Sequence, residues 1–130
     1  MSQSILNALK TRLTADAGLI AIVSSRIYLD VGPSNAALPL LVYRAENYRI
    51  DNMNTAKRHT MDVVFQFFFA NSGTQDIHAA ASALSAALAA PLTVTGFDRA
   101  VFIRAAAGVP SFADDSWTIQ ESYRVTAFDI

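Results

Sequence analysis

The sequence predicts an α+β fold: helices packed on one face of a largely antiparallel β-sheet, with a long hairpin arm between two strands. Three observations carry this reading. Between residues 59 and 70, Met61, Val63, Phe65, Phe67 and Phe69 alternate and so share one face of a strand. Directly after it, residues 74–90 repeat Ile77, Ala81, Leu84 and Leu88 at helical spacing. Residues 117–128 alternate again, with Trp117, Ile119, Glu121, Tyr123 and Val125 on one side and Thr118, Gln120, Ser122, Arg124 and Thr126 on the other. That pattern suits a sheet with one covered face.

The elements follow in order. Ser2 or Ser4 caps a first helix, because Ile5, Leu6, Leu9 and Leu13 form one stripe while Lys10 and Arg12 fall outside it and are expected to face out. Thr14 or Asp16 restarts a short helix through Leu19, Ile20, Ile22 and Val23. Gly18 weakens it, since glycine costs about 1 kcal/mol within a helix. Residues 26–29 read as a short strand that ends in a turn at 30–33. Residues 40–46 form a second strand, entered through Pro39, which is tolerated only at a strand start or edge.

Residues 47–57 are polar, too long for a tight hairpin, and read as a projecting tip or mobile arm between antiparallel strands. Functional contacts concentrate on such segments. Pro91 ends the alanine-rich helix because it lacks an amide donor. A short strand and turn at 92–97, a strand at 100–104, a loop at 108–116 and the final strand complete the chain.

At 130 residues the chain is read as one domain, 1–130. Its apolar share is 52% and its charged share only 16%, against a usual charged share of about 25%. Such a chain is expected to bury more than an average monomer does, and burial against neighbouring copies is a natural outlet. The net charge of −1 argues against DNA binding driven by counterion release. Cysteine is absent, which excludes disulfides and thiolate metal sites. The first residues lack a basic stretch leading into an apolar run, and no apolar run approaches the ~18 residues of a membrane span. The expectation is a soluble protein, intracellular when made, with no membrane contact.

Catalytic, cofactor and metal patterns are not found. His78 has no second ligand four residues on, and His59, after Lys57 and Arg58, reads as a solvated or interface residue. Asp114 and Asp115 form an adjacent carboxylate pair without the spacing of a calcium loop. No nucleophile elbow and no phosphate-binding glycine loop occurs. Tyr28, Tyr43, Tyr48 and Tyr123 read mostly as packing residues with a polar tip.

The end of the central strand is apolar on both sides, with Val64 and Phe68 opposite Phe65, Phe67 and Phe69. One side takes the helix at 74–90. The other needs a second cover, either the N-terminal helices or another subunit. A buried phenylalanine is worth roughly 1.5–3 kcal/mol, a large part of a small domain's margin.

The order of these pieces resembles the tail-completion, or tail terminator, family of tailed bacteriophages and prophages. The resemblance lies in Leu9, Leu13-Thr14-Ala15-Asp16, Ile22-Val23, Arg26-Ile27-Tyr28 and Leu38-Pro39-Leu40-Leu41-Val42-Tyr43. It continues through Arg58-His59-Thr60-Met61-Asp62-Val63-Val64-Phe65, then Ile77, Ala81, Leu84, Leu88 and Leu92, and ends in Ser122-Tyr123-Arg124-Val125-Thr126-Ala127-Phe128. It covers nearly the whole chain; residues 105–115 depart from it, being longer and less charged.

The resemblance implies a non-enzymatic virion protein at the tail–neck junction, assembled in the host cytoplasm. It implies a homo-hexameric ring that caps the tail tube protein, ends tube growth and meets the head connector or stopper, and the sheath where the tail contracts. DNA would pass through its lumen without specific binding. No cofactor is implied. The residues expected to make subunit or partner contacts are Arg44, Glu46, Arg49, Asp51, Lys57, Arg58 and Phe68. Three other readings stand beside this one within the sequence alone: another head–tail joining protein, a small enzyme using Asp114, Asp115 and His59 on one edge, and a monomeric ligand-binding domain.

Overall fold

The computed structural model describes residues 2–23, 26–29, 39–52, 57–70, 75–92, 94, 97–106, 111–113 and 116–129. Two helices, α1 (Ser2–Ala15) and α2 (Ala17–Val23), lead into β1 (Ile27–Leu29). The hairpin strands β2 (Leu40–Asn52) and β3 (Lys57–Ala70) follow, then α3 (Gln75–Ala87), β4 (Phe97–Ala106), β5 (Ser111–Ala113) and β6 (Ser116–Asp129). The sheet runs β1-β2-β3-β6-β4, and β5 pairs with β6 further along. The β1–β2 pairing is parallel and the others are antiparallel. The fold is α+β.

Asp16 breaks and restarts the first helical stretch. Its Oδ2 accepts the Leu19 amide at 3.0 Å, the bond expected of an N-cap. Gly18 therefore sits in the first turn of α2, where its helix penalty is small. Lys10 and Arg12 do not face out. Lys10 donates to the Ile27 carbonyl, and Arg12 donates to the carbonyls of Ala87, Ala90 and Pro91 at 3.0–3.1 Å. The last carbonyls of a helix lack partners within it, and a guanidinium satisfies them while complementing the helix dipole. Arg12 thus fastens α1 to the end of α3.

The core lies between the helices and one face of the sheet. Ile5, Leu9, Leu13, Leu19, Ala80, Leu84 and Leu88 meet Leu41, Tyr43, the odd residues from Met61 to Phe69, Ile119, Tyr123 and Val125. Tyr43 stacks on Phe65 at 6.1 Å, and Tyr123 meets the same ring edge-on at 5.6 Å, geometries that aromatic quadrupoles favour. All three helices contribute to this side. The N-terminal helices therefore do not cover Phe68, which is half-buried on the opposite side. A helix stripe and an alternating strand can each bury one face, and both are used up here.

The polar stretch at 47–57 is largely strand. Pairing continues to Asn52↔Lys57, and β6 backs β3 as far as Arg58↔Phe128, so the long hairpin is held to the sheet for most of its length. The residues expected as a loop at 108–116 include β5, paired Ser111↔Thr118 to Ala113↔Ser116. Ile77's side chain and Asp114 and Asp115 lie outside what the structure describes.

Candidate functional site

The helix-free face of the sheet is where the expected contact residues gather, and one local irregularity arranges them. Between Glu46↔Asp62 and Arg49↔Thr60 the β2–β3 register shifts, and Asn47 has φ 55°. This is a β-bulge, with asparagine at the left-handed position that it tolerates better than most residues. The extra residue reverses the parity of β2. Before it, Arg44 and Glu46 point away from the helices with Val64 and Asp62. After it, Arg49 and Asp51 do so with Thr60 and Arg58. Strict alternation would have sent Arg49 and Asp51 toward the core.

The same reversal turns Tyr48 inward. Its hydroxyl lies 2.6 Å from Nδ1 of His59, and the rings tilt against each other at 6.0 Å. His59 is fully buried, on β3 between β2 and β6, which corrects the expectation of a solvated or interface residue. It belongs to the odd, core-facing set of the central strand. It is also far from a sheet edge, so the edge cluster with Asp114 and Asp115 has no support from it.

Across the sheet, the helix-free face can be read in rows. One row is Asp51–Arg58–Phe128, the next Arg49–Thr60–Thr126–Val101, and the next Glu46–Asp62–Arg124–Ile103. Further along come Arg44–Val64–Ser122, Val42–Gln66–Gln120 and Leu40–Phe68–Thr118. Arg44 Nε meets Glu46 Oε1 at 2.9 Å. Arg58 gives two hydrogen bonds to Asp51 Oδ2, at 2.9 and 3.3 Å, while Arg49 stands 4.0 Å from the same oxygen. These bonds from Arg58 hold the Asp51 carboxyl below the usual aspartate range. Such exposed pairs set register and partner choice more than they add stability.

Asp62 is the centre of the face, and the sequence reading did not single it out. Asn47 Nδ2 donates to its Oδ2 at 3.1 Å and Arg124 Nε to its Oδ1 at 3.2 Å. The Asn47 amide first, and then Arg124, hold its carboxyl below the usual range against partial burial, which works the other way. Asp62 and Arg124 are far apart in sequence, so only the β3–β6 register could have revealed the pair. An open hollow of about 310 Å³ is lined by Asn47, Arg49, Thr60, Asp62 and Arg124.

The structure brings together five of the expected contact residues: Arg44 with Glu46, and Arg49 with Asp51 and Arg58. Lys57 alternates to the other face, alongside His59. Phe68 is on the shared face but ten residues from Arg58 along β3, about 33 Å away. At that end Leu40, Val42 and Val64 are buried although they lie outside the helix-side core. At the β4 side Val101, Ile103 and Phe128 are exposed, Ile103 at 64%. Among the described residues no group of three histidines, aspartates or glutamates is placed to hold a metal ion. None of the described helices is long and apolar enough to cross a membrane.

A sequence-family model described as "Tail completion protein gp17" matches residues 7–115. The chain belongs to the tail completion protein family. As a tail completion protein it is a structural component of a phage tail or neck. A chain in the solved virion of a native gene transfer agent (GTA) particle is 26% identical, with a TM-score of 0.79, over 98% of this chain and 96% of that one. A second solved structure, 14% identical with a TM-score of 0.64, covers 98% of this chain and 95% of its own and shares the fold. Comparison with curated protein sequences gives no match.

Proposed function

We propose that residues 1–130 form one tail-terminator-like domain that closes into a ring of identical copies, most simply a hexamer, on the last ring of the tail tube. In that position it ends tube polymerisation and presents a surface to the head connector or stopper protein, and to the sheath end where the tail is contractile. Its place is the tail–neck junction of the virion, reached by assembly in the host cytoplasm. DNA passes through the lumen without specific binding.

The observation that carries this reading is the helix-free face. It combines organised charge pairs with exposed Val101, Ile103 and Phe128, on a sheet whose other face carries the core and the chain's own helices. Mixed apolar and paired polar surface of this kind suits protein contact. Membership of the tail completion family and the likeness to a chain of a gene transfer agent virion support the same reading.

The test is imaging of the purified protein by negative-stain microscopy, together with tail lengths in particles lacking it. Annular particles, and overlong tubes without heads in the deletion, are expected. Normal-length tails without the protein would overturn the assignment.

A further inference from the structure

We propose that the hollow at the Asn47 bulge is a carboxylate-binding subsite that receives an acidic side chain from a second copy of the chain. This deepens, and rests on, the ring reading above.

The lining holds two guanidinium groups, Arg49 and Arg124, and one carboxylate, Asp62, leaving one positive charge uncompensated. The carboxylate that Arg49 approaches, Asp51, is already held more closely by another arginine. Asp51 is 4.0 Å from Arg49 but 2.9 Å from Arg58. The Arg49 side chain is 64% exposed. Arg124 meets Asp62 through Nε, and its two terminal nitrogens make no hydrogen bond among the described residues.

A single carboxylate between the two guanidiniums would neutralise the surplus and accept charge-assisted hydrogen bonds from both. The Thr60 side chain and the Asn47 amide line the same space. Asp62 and Asn47 act as positioning residues, since their bond network fixes Arg124 at one wall.

The surroundings favour one carboxylate over a nucleic-acid backbone. Glu46, Asp51 and Asp62 stand in the rows around the hollow, so each further phosphate of a duplex would approach a fixed negative charge. A closed ring sets two different patches of identical copies against each other, so a cationic hollow on one patch calls for a carboxylate on the other. The chain carries eleven acidic against ten basic side chains, which supplies that group from the chain itself.

The chain has two lysines, Lys10 and Lys57, so a third lysine is easily traced by peptide mass. R49K keeps the cation and adds an amine that a zero-length carbodiimide couples to a touching carboxylate. Coupling of assembled R49K, with isotope-labelled and unlabelled copies mixed, is read by denaturing electrophoresis and peptide mass spectrometry. A multimer ladder absent from the wild type, joined from position 49 to an Asp or Glu of the other copy, is expected. Coupling confined to Asp51 of the same chain would overturn the proposal.

R49E, at an exposed position outside the core, is expected to keep its circular dichroism spectrum and need about tenfold or more protein to assemble. Wild-type assembly by R49E would overturn the subsite and leave the ring reading standing. A wild-type chain that never assembles would remove the ring reading and the second copy together. If R49E assembled normally but bound duplex DNA less, the occupant would be a phosphate and the proposal would fall.

Discussion

Tyr48 and His59 face each other across the hairpin at 2.6 Å, hydroxyl to Nδ1, inside the helix-side layer of the sheet. They meet because Asn47 adds one residue to β2. The bulge therefore does two things at once: it anchors the hairpin to the core through Tyr48 and turns Arg49 and Asp51 outward. Tyr48→Phe removes the hydroxyl while keeping the ring. A loss of about 1–2 kcal/mol is expected, read as a lower urea midpoint with an unchanged slope.

Asn47 is the conformational hinge of that arrangement. Asn47→Gly preserves access to φ 55° and loses the hydrogen bond to Asp62, so it should keep the bulge and weaken assembly far less than a variant that shifts it. Asn47→Val places a β-branched residue in the left-handed region and should destabilise by roughly 1–3 kcal/mol. It should also disturb assembly, because a shift of the bulge would return Arg49 and Asp51 toward the core. Equal assembly of the two variants, measured by light scattering, would contradict this role.

Much of the architecture could be read from period alone. The odd residues from Met61 to Phe69 and from Trp117 to Val125 alternate without interruption, and all face the helices. The stripe of Ile5, Leu9 and Leu13 was equally plain, and of the two residues read as restarting the helix, Thr14 and Asp16, the structure uses Asp16 as the cap. What escaped sequence reasoning depends on tertiary geometry. A one-residue bulge has no periodic signature beyond an asparagine in a polar run, so residues 47–57 read as a projecting tip or mobile arm and His59 as a solvated or interface residue. Arg12 looked like a surface charge because its partners, the carbonyls ending α3, are brought to it only by packing. The Asp62–Arg124 pair required the strand register. For the same reason, excising residues 47–54 would remove the strand paired with residues 57–60, and point substitutions test the face more cleanly.

Arg12 should matter to stability in proportion to those carbonyls. Arg12→Ala leaves the end of α3 without its cap and should cost about 1.5–3 kcal/mol in thermal or urea unfolding. Arg12→Lys, with one donor group in place of a fork, should recover only part of the loss. No change on Arg12→Ala would show that water replaces the clamp without penalty.

The lowered carboxyls of Asp62 and Asp51 set the acid limb of stability. Both are depressed in the folded chain, Asp62 by Asn47 and then Arg124, Asp51 by Arg58. A depressed folded pKa gives stabilisation that is present above the unfolded value, about 3.9, and is lost as pH falls through the folded one. Stability should therefore decline below about pH 4, and Asp62→Asn should flatten part of that decline, its loss relative to the wild type being greatest near pH 7 and shrinking in acid. An unchanged acid profile in Asp62→Asn would place the titration elsewhere.

Phe65 ties the layers together, fully buried with Tyr43 on one side and Tyr123 on the other. Phe65→Ala should remove roughly 3–5 kcal/mol, a large share of the 5–15 kcal/mol typical of a domain. A cooperative unfolding transition shifted by less than about 1 kcal/mol would mean the aromatic layer is less tightly packed than described.

The central claim is that this fold, with one sheet face packed against its own helices and the other left for contact, works by closing into a ring. Light scattering on the size-exclusion-separated chain across a concentration series measures it most directly. The account predicts a discrete closed species at a fixed multiple of 14.0 kDa, expected at six copies and persisting on dilution. A single species of one-subunit mass at every concentration, with tube ends added as well as without, would contradict it.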